Sequence, residues 1–438
     1  MEVRKDPALL AVTALHSMSA TRPALVQLLP NLQKLLISGT ASHSIYYFMF
    51  FTPSITNLQF KFSDETPQFT EYMLKEIRYR LPALLDLTLH FKRAVSEVQN
   101  GVIECFDGLE DLRHVCLPRL HLTTQVLAAL SKRPALEKIS TIYTEPMVGP
   151  VSASLLGFQS ETFDNLDSFA IASPLETIAA MLADKEWAPR LKELEVTVPA
   201  LVDTGSLHQF LDLMVRSRPN LSLLRLDLFN PASATAALSI EIIRPILELS
   251  NINVLDIRHN LPPTIESDEL ANILSSLPNL LHFTLCHDVV HGSPQPGLPW
   301  TTLELFALYT PLIQSIGLYF QPCESFNAAE HPFRLESIKL LDVGSSTLNN
   351  ETQLAIYLAE LCSSSMQIRW GDSTKTPLSN AGRANPSAIK WSAASMLFST
   401  VARMRDRTQV YAMGKFTRQM GWRRLEQGLA QKIDDDET

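Results

Sequence analysis

Glycine is scarce in this chain, 15 among 438 residues against 27 prolines. The backbone therefore turns often but seldom needs the left-handed conformation or the close approach of a phosphate-cradling loop, which argues against nucleotide binding. Charged residues make up only 19%, with a net charge of −9 at pH 7. Long apolar runs are missing as well. The longest, Ile45 to Phe51, has seven residues, where a helix crossing a bilayer needs roughly 20. The five cysteines, Cys105, Cys116, Cys286, Cys323 and Cys362, are odd in number, scattered, and never spaced as C-x-x-C. That usage fits a reducing compartment, cytoplasm or nucleus, and a chain held by burial. What is plentiful is apolar side chain, 46% of residues, enough for a large core and too much for a disordered chain.

At the N-terminus, Arg4 and Lys5 precede the apolar stretch Ala8 to Leu15, a loose likeness to a signal peptide. Glu2, Asp6 and Pro7 interrupt the would-be basic region and no disulfide framework follows, so residues 1–31 are expected to form a helical cap.

One phrase recurs along the chain, an optional proline and then L-x-x-L-x-L: LPNLQKLLI from Leu29, LPALLDLTL from Leu81, APRLKELEV from Ala188, RPNLSLLRL from Arg218, LPNLLHFTL from Leu277 and PFRLESIKL from Pro332. Its first apolar position, the anchor, falls at Leu32, Ile55, Leu84, Leu112, Leu136, Leu166, Leu191, Leu221, Ile252, Leu280, Ile313, Leu335 and, weakly, Ser365, a mean step of about 28 residues. Segments of helical period precede the phrases, most clearly Thr66 to Arg80, Leu122 to Lys132, Leu175 to Glu186, Ser206 to Arg216, Glu266 to Leu277 and Leu348 to Leu361. A strand and a covering helix cannot bury their apolar faces alone; stacked units can. The pattern predicts an α/β solenoid of 12 to 13 irregular repeats over residues 32–370, a horseshoe with parallel strands on its concave face and helices on its convex face.

These residues resemble the leucine-rich-repeat proteins, and the long irregular units with proline before the first leucine are most similar to the fungal F-box type. The resemblance covers roughly Leu25 to Trp370 and implies a protein-recognition module like the substrate-binding part of an F-box/leucine-rich-repeat ubiquitin-ligase adaptor. The asparagine that usually follows the strand phrase occurs only at Asn260, so irregular turns are expected. No F-box signature of the L-P-x-E-[IL]-x-x-x-I type is visible. The ligase's linker subunit is thus expected as a partner only if an F-box precedes Met1.

Alternate strand residues point to opposite sides, so positions two, four and six after each anchor should project from the concave face. Its middle carries Glu193, Glu195, Arg225, Asp227, Asp256, Arg258 and His282, a charged cluster suited to contact with a protein partner and equally to solvation. Around Leu335 the same rule gives Ser337, Lys339 and Leu341.

Three other features invite chemistry. Asp203, Thr204 and Gly205, with Ser206 behind them, spell the active-site phrase of retroviral-type aspartic proteases. The phrase lies in step with the array and leads into a helical pattern, which makes Asp203 or Thr204 an expected helix N-cap. His282, Cys286, His287, Asp288 and His291 are possible zinc ligands, yet His282 and Cys286 lie about 13 Å apart along a strand. His90 and His114, on adjacent strands, receive the same discount. No P-loop, G-x-S-x-G, H-E-x-x-H or dinucleotide fingerprint is found. The reading is a non-enzymatic monomer without cofactor or metal.

After Trp370 the repeats stop, and 371–386 read as a linker. From Arg383 to Ile433 the net charge is +8, whereas residues 1 to 382 carry −13; 434–438 form an acidic tail. Ile389, Ala393, Met396, Leu397, Val401 and Met404 recur at helical spacing beside Arg403, Arg405 and Arg407, predicting a basic amphipathic helix within a 387–433 extension. It would cap the array. The alternative function is a free-standing scaffold whose basic helix binds nucleic acid or an anionic membrane surface. In the leading reading nucleic acid is not an expected partner.

Overall fold

In the computed structural model of the chain, the proline of the repeated phrase occupies the second position of a four-residue turn. Most anchor amides donate to the carbonyl three residues earlier, among them Leu32 to Leu29 at 3.1 Å, Ile55 to Thr52 at 3.0 Å, Leu84 to Leu81 at 3.2 Å, Leu136 to Arg133 at 3.1 Å and Leu221 to Arg218 at 3.3 Å. Proline's fixed φ suits that position, and its missing N–H costs nothing there. The next two amides both donate to one carbonyl, that of the residue just ahead of the preceding strand. Leu85 and Asp86 share Thr56 O at 2.8 and 2.9 Å, Lys192 and Glu193 share Asp167 O at 2.8 and 3.0 Å, and Gln314 and Ser315 share Leu281 O at 2.8 and 3.1 Å. Turn and shared carbonyl together fix where each strand begins.

The structure describes residues 2–3, 29–39, 45–62, 66–90, 94–142, 162–198, 203–228, 237–287, 289, 297–322, 334–371 and 388–408. The chain divides into two units, Met1–Ala236 with Glu241–Ile257, and Ala237–Ile240 with Arg258–Thr438. The strands of the first are β1 (Glu2–Val3), β2 (Lys34–Gly39), β3 (Asn57–Phe62), β4 (Asp86–His90), β5 (His114–Pro118), β6 (Lys138–Ile142), β7 (Ser168–Ala172), β8 (Glu193–Thr197), β9 (Leu223–Asp227) and β10 (Val254–Arg258, its last residue counted with the second unit). β1 to β9 pair in sequence order, all parallel. β10 joins β9 through Asn253 and Val254, which share Ser222 O. The second unit holds β11 (His282–Leu285), β12 (Ser315–Leu318), β13 (Leu340–Asp342) and β14 (Gln367–Arg369), again parallel and in order. Each unit is an α/β solenoid of the leucine-rich-repeat kind.

Positions three and five after the anchors form the core. Leu35, Leu87 and Phe283 are each 1% exposed and Leu194 is fully buried. Helices cover that side: the Phe283 ring meets Phe306 of a following helix at 5.4 Å. The described α-helices of eight residues or more are α1 (Pro67–Arg80), α2 (Val95–Asp107), α3 (Thr124–Ser131), α4 (Leu175–Ala183), α5 (Thr204–Ser217), α6 (Ser267–Ser276), α7 (Thr302–Tyr309), α8 (Glu351–Leu361) and α9 (388–408). Side chains cap their first turns. Thr66 accepts from Phe69 N, Thr123 from Val126 N and Asn350 from Gln353 N, while Glu266 and Glu269 form a capping box at α6. No described helix is long and apolar enough to cross a membrane.

The register agrees with the sequence anchors at every strand pairing except the two made by β13. Ser315 pairs with Leu340, not Ser337, so the anchor is Ile338 and Leu335 opens the turn before it. Leu341 accordingly faces the core, fully buried, and Asp342 takes the other side. The cause is that L-x-x-L repeats itself three residues on, and this copy lacks the proline immediately after its leucine that marks the frame elsewhere.

The basic amphipathic helix exists as α9, but it docks by a different face. Trp391, Ala394, Phe398 and Ala402 are buried, while Ile389, Met396 and Met404 are exposed. Trp391 Nε1 donates to Ser346 O at 3.0 Å. Arg405 donates to Ala359 O and Cys362 O at the end of α8, where a cation meets the negative end of the helix dipole. The Ser364 hydroxyl, ahead of Arg405, holds the Asp406 carboxyl below its ordinary value. The helical cap expected over 1–31 is corrected at both ends, where Glu2–Val3 form strand β1 beside β2 and residues 30–31 a turn. Residues 4–28, the linker at 372–386, the extension beyond residue 408 and the acidic tail at 434–438 lie outside the described residues.

The alternation can be checked at two adjacent positions of β8. Leu194→Ala should cost roughly 2–5 kcal/mol in chemical denaturation, and Glu195→Ala about 1 kcal/mol or less. Equal losses at the two sites would contradict the register.

Candidate functional site

Opposite the helices, the first unit presents a polar face with two charged ladders. In the row two after the anchors, Asn57 Nδ2 donates to Asp86 Oδ2 at 2.8 Å, and His114 Nδ1 contacts Asp86 Oδ1. His114 Nε2 also lies 3.6 Å from Glu137. Further along, Lys138 Nζ is 3.6 Å from Glu193 Oε2. These two sit on either side of β7, about 9.6 Å apart by strand spacing, and the small Ser168 between them leaves the path open. In the next row Arg225 is held from both sides. Its Nη1 meets Glu195 Oε1 at 2.8 Å and its Nε donates to Asp256 Oδ2 at 3.0 Å. The Asp256 side chain is 9% exposed and that of Arg225 38%, so a nearly buried carboxylate orients a cation that still faces solvent.

The third row contains a contact that strand alternation does not predict. After β5, Pro118 ends the strand and Arg119–His121 form a single 3-10 turn packed against β7. From there Arg119 Nη2 reaches Asp227 Oδ2 on β9 at 3.7 Å. Ser168, Ala170 and Ala172, which should face solvent, are 6–7% exposed. Their small side chains give the turn room to lie close.

Five of the sequence candidates, Glu193, Glu195, Arg225, Asp227 and Asp256, thus share one face of β8 to β10. Arg258 ends β10 and His282 opens β11, both in the second unit, where His282 is exposed and Arg258 half-buried. That unit has a cluster of its own. Asp342, 2% exposed, accepts from Gly344 N at 3.1 Å and from Arg369 Nε at 2.6 Å, with His287 Nε2 at 3.4 Å. Gly344 adopts φ 48°, which lets the chain fold its amide back onto the carboxylate.

Of the residues that suggested chemistry, Asp203 serves the fold. Asp203 is the N-cap of α5: Oδ1 accepts from Ser206 N at 2.9 Å and Oδ2 from the Ser206 hydroxyl at 2.5 Å. That hydroxyl bond, more than the backbone one, lowers its carboxyl below the usual value. Of the zinc candidates, Asp288 and His291 lie outside the described residues. His282 is exposed, whereas Cys286, at φ 49°, and His287 turn inward and are buried. Among the described residues no group of three or more ligand-type side chains could hold a metal ion. His90 and His114 do not face each other, since Asp86 is the partner of His114 in register. Burial pushes the thiols of Cys105 and Cys362 up to about 12, which keeps both protonated at neutral pH.

The capping role has a pH signature. A depressed carboxyl stabilises the fold above its unfolded value and loses that contribution as pH falls through its folded value. Asp203→Ala should therefore lower the melting temperature at pH 7, with the gap to wild type closing in acid, while Asp203→Asn keeps an acceptor and most of the stability. An unchanged melting temperature in Asp203→Ala, or peptide hydrolysis abolished by Asp203→Asn, would contradict it.

No protein-family model matches the chain, and no curated protein matches it. Among solved structures it is similar to the complex of Rad7 and Elc1 in yeast, at 13% identity and a TM-score of 0.48 over 87% of each chain.

Proposed function

We propose that the chain is a non-catalytic protein-recognition module that binds a protein partner on the polar sheet face of its first unit. The observation that carries this is Arg225, pinned between Glu195 and Asp256 yet still open to solvent. A side chain already held in place loses little entropy on binding, so contacts to it favour one partner geometry over others. Glu193, Glu195, Arg225, Asp227 and Asp256 supply charges of both signs on a rigid backbone, with Arg119 latched onto Asp227 at their edge. Arg258 and His282 are the corresponding contacts of the second unit. The finer reading, the substrate-binding part of an F-box/leucine-rich-repeat ubiquitin-ligase adaptor in the cytoplasm or nucleus, rests on the repeat phrase and its proline.

Affinity capture from cell extract with wild type and three variants tests the reading. Glu193→Lys and Arg225→Ala should each weaken recovery of the wild-type partner by about tenfold or more, and Arg216→Ala, on the exposed side of α5, should not. Recovery that is equal for all four chains would remove the sheet face as the binding site. The ligase's linker subunit and a cullin among the recovered proteins would support the adaptor; a partner recovered without them would favour the free-standing scaffold.

A further inference from the structure

Large apolar side chains exposed to solvent are concentrated on one element. Nine such residues occur among the described ones, and four of them, Ile389, Met396, Leu397 and Met404, belong to α9. At 100° per residue, Ile389, Ala393, Met396, Leu397, Thr400, Met404 and Arg407 fall on one side of the helix. The opposite side, with Trp391, Phe398 and Ala402, is docked. α9 therefore has two apolar faces, one spent on the fold and one turned outward. Their exposures of 61% at Ile389, 70% at Met396 and 65% at Met404 are not those of side chains tucked along a surface.

Charge on the outward side is of a single sign. Lys390, Arg403 and Arg407 are exposed there. The one carboxylate of the helix, Asp406, is half-buried and bound to Arg405 at 2.6 Å. The next charges in the sequence continue the trend, with Lys415, Arg418, Arg423 and Arg424 before the single Glu426.

We propose that this face of α9 rests on an anionic lipid bilayer, its apolar side chains entering the headgroup boundary and its cations meeting lipid phosphates and carboxylates. The inference is independent of the sheet-face reading. Apolar side chains flanked by cations match a surface that offers both acyl chains and negative headgroups. Nucleic acid would meet the cations but has no place for Ile389, Met396 and Met404. A second copy of the chain would set two basic faces against each other. Unbranched methionine adapts to a fluid boundary without needing a shaped pocket. Because the docked face holds the helix to the unit through Trp391, the outward face is presented without having to fold on contact.

Sedimentation of the full chain with vesicles decides the matter, using phosphatidylcholine alone and phosphatidylcholine mixed with phosphatidylserine. Wild type should pellet with the mixed vesicles and not with the neutral ones, less so as salt rises. Met396→Glu with Met404→Glu should weaken that binding by about tenfold or more, and Arg403→Gln with Arg407→Gln should weaken it and flatten its salt dependence. Melting curves check that the variants keep the fold, and Ile389→Asn gives an independent reading should the methionine pair disturb it. The proposal fails if wild type does not distinguish the two vesicles, or if binding is indifferent to the methionine and isoleucine changes while lost with the arginines. It also fails if light scattering finds a dimer that the methionine changes dissolve.

Discussion

The register from β2 to β10, and again from β11 to β13, depends on one carbonyl per repeat that accepts two amides from the next. Gln33, Thr56, Leu85, Arg113, Glu137, Asp167, Lys192 and Ser222 play this part in the first unit, and Leu281 and Gln314 in the second. A parallel ladder is otherwise free to slip, and a slip of one residue would turn every core side chain to solvent. The turn that closes on the anchor delivers the two amides to that carbonyl, and the leucines three and five positions on are then inside. Proline at the turn's second position favours the conformation before the strand forms.

Once the register is fixed, the two sides of the sheet answer to different demands. The covered side takes Leu, Ile and Phe, because each buried side chain of that size contributes about 1.5–3 kcal/mol. The other side carries residues that the core does not constrain, and there the charges are arranged in rows by the same register. Glu195 meets Arg225 because their strands are adjacent and in step; Lys138 meets Glu193 across Ser168 because the intervening residue is small. A rigid backbone thus supplies a patterned polar face at little extra cost, and the functional reading rests on that pattern.

Much of this was legible from spacing alone. Leu84, Leu191 and Leu221 announce their strands because proline and leucine together define the frame. At Leu335 the frame failed, since Leu335, Ile338 and Leu341 are equally spaced and only pairing with Ser315 chooses among them. The docking face of α9 was misjudged for a related reason. Ile389, Met396 and Met404 make as good an apolar stripe as Trp391, Phe398 and Ala402, and helical period cannot say which of two stripes meets the fold. Arg119 lay beyond any local rule: a turn after β5 that reaches β9 is a tertiary contact, foreshadowed only by Pro118 and by the small residues of β7.

Amide hydrogen exchange in the native chain tests the shared carbonyl directly. Leu85 and Asp86, Lys192 and Glu193, and Ser222 and Leu223 should exchange at least about a hundredfold more slowly than the turn amides of Ala83 and Asn220, both members of each pair together. Exchange at the second amide of each pair as fast as in the turns would mean that one bond, not two, joins each repeat to the next, and that the register is held by something else.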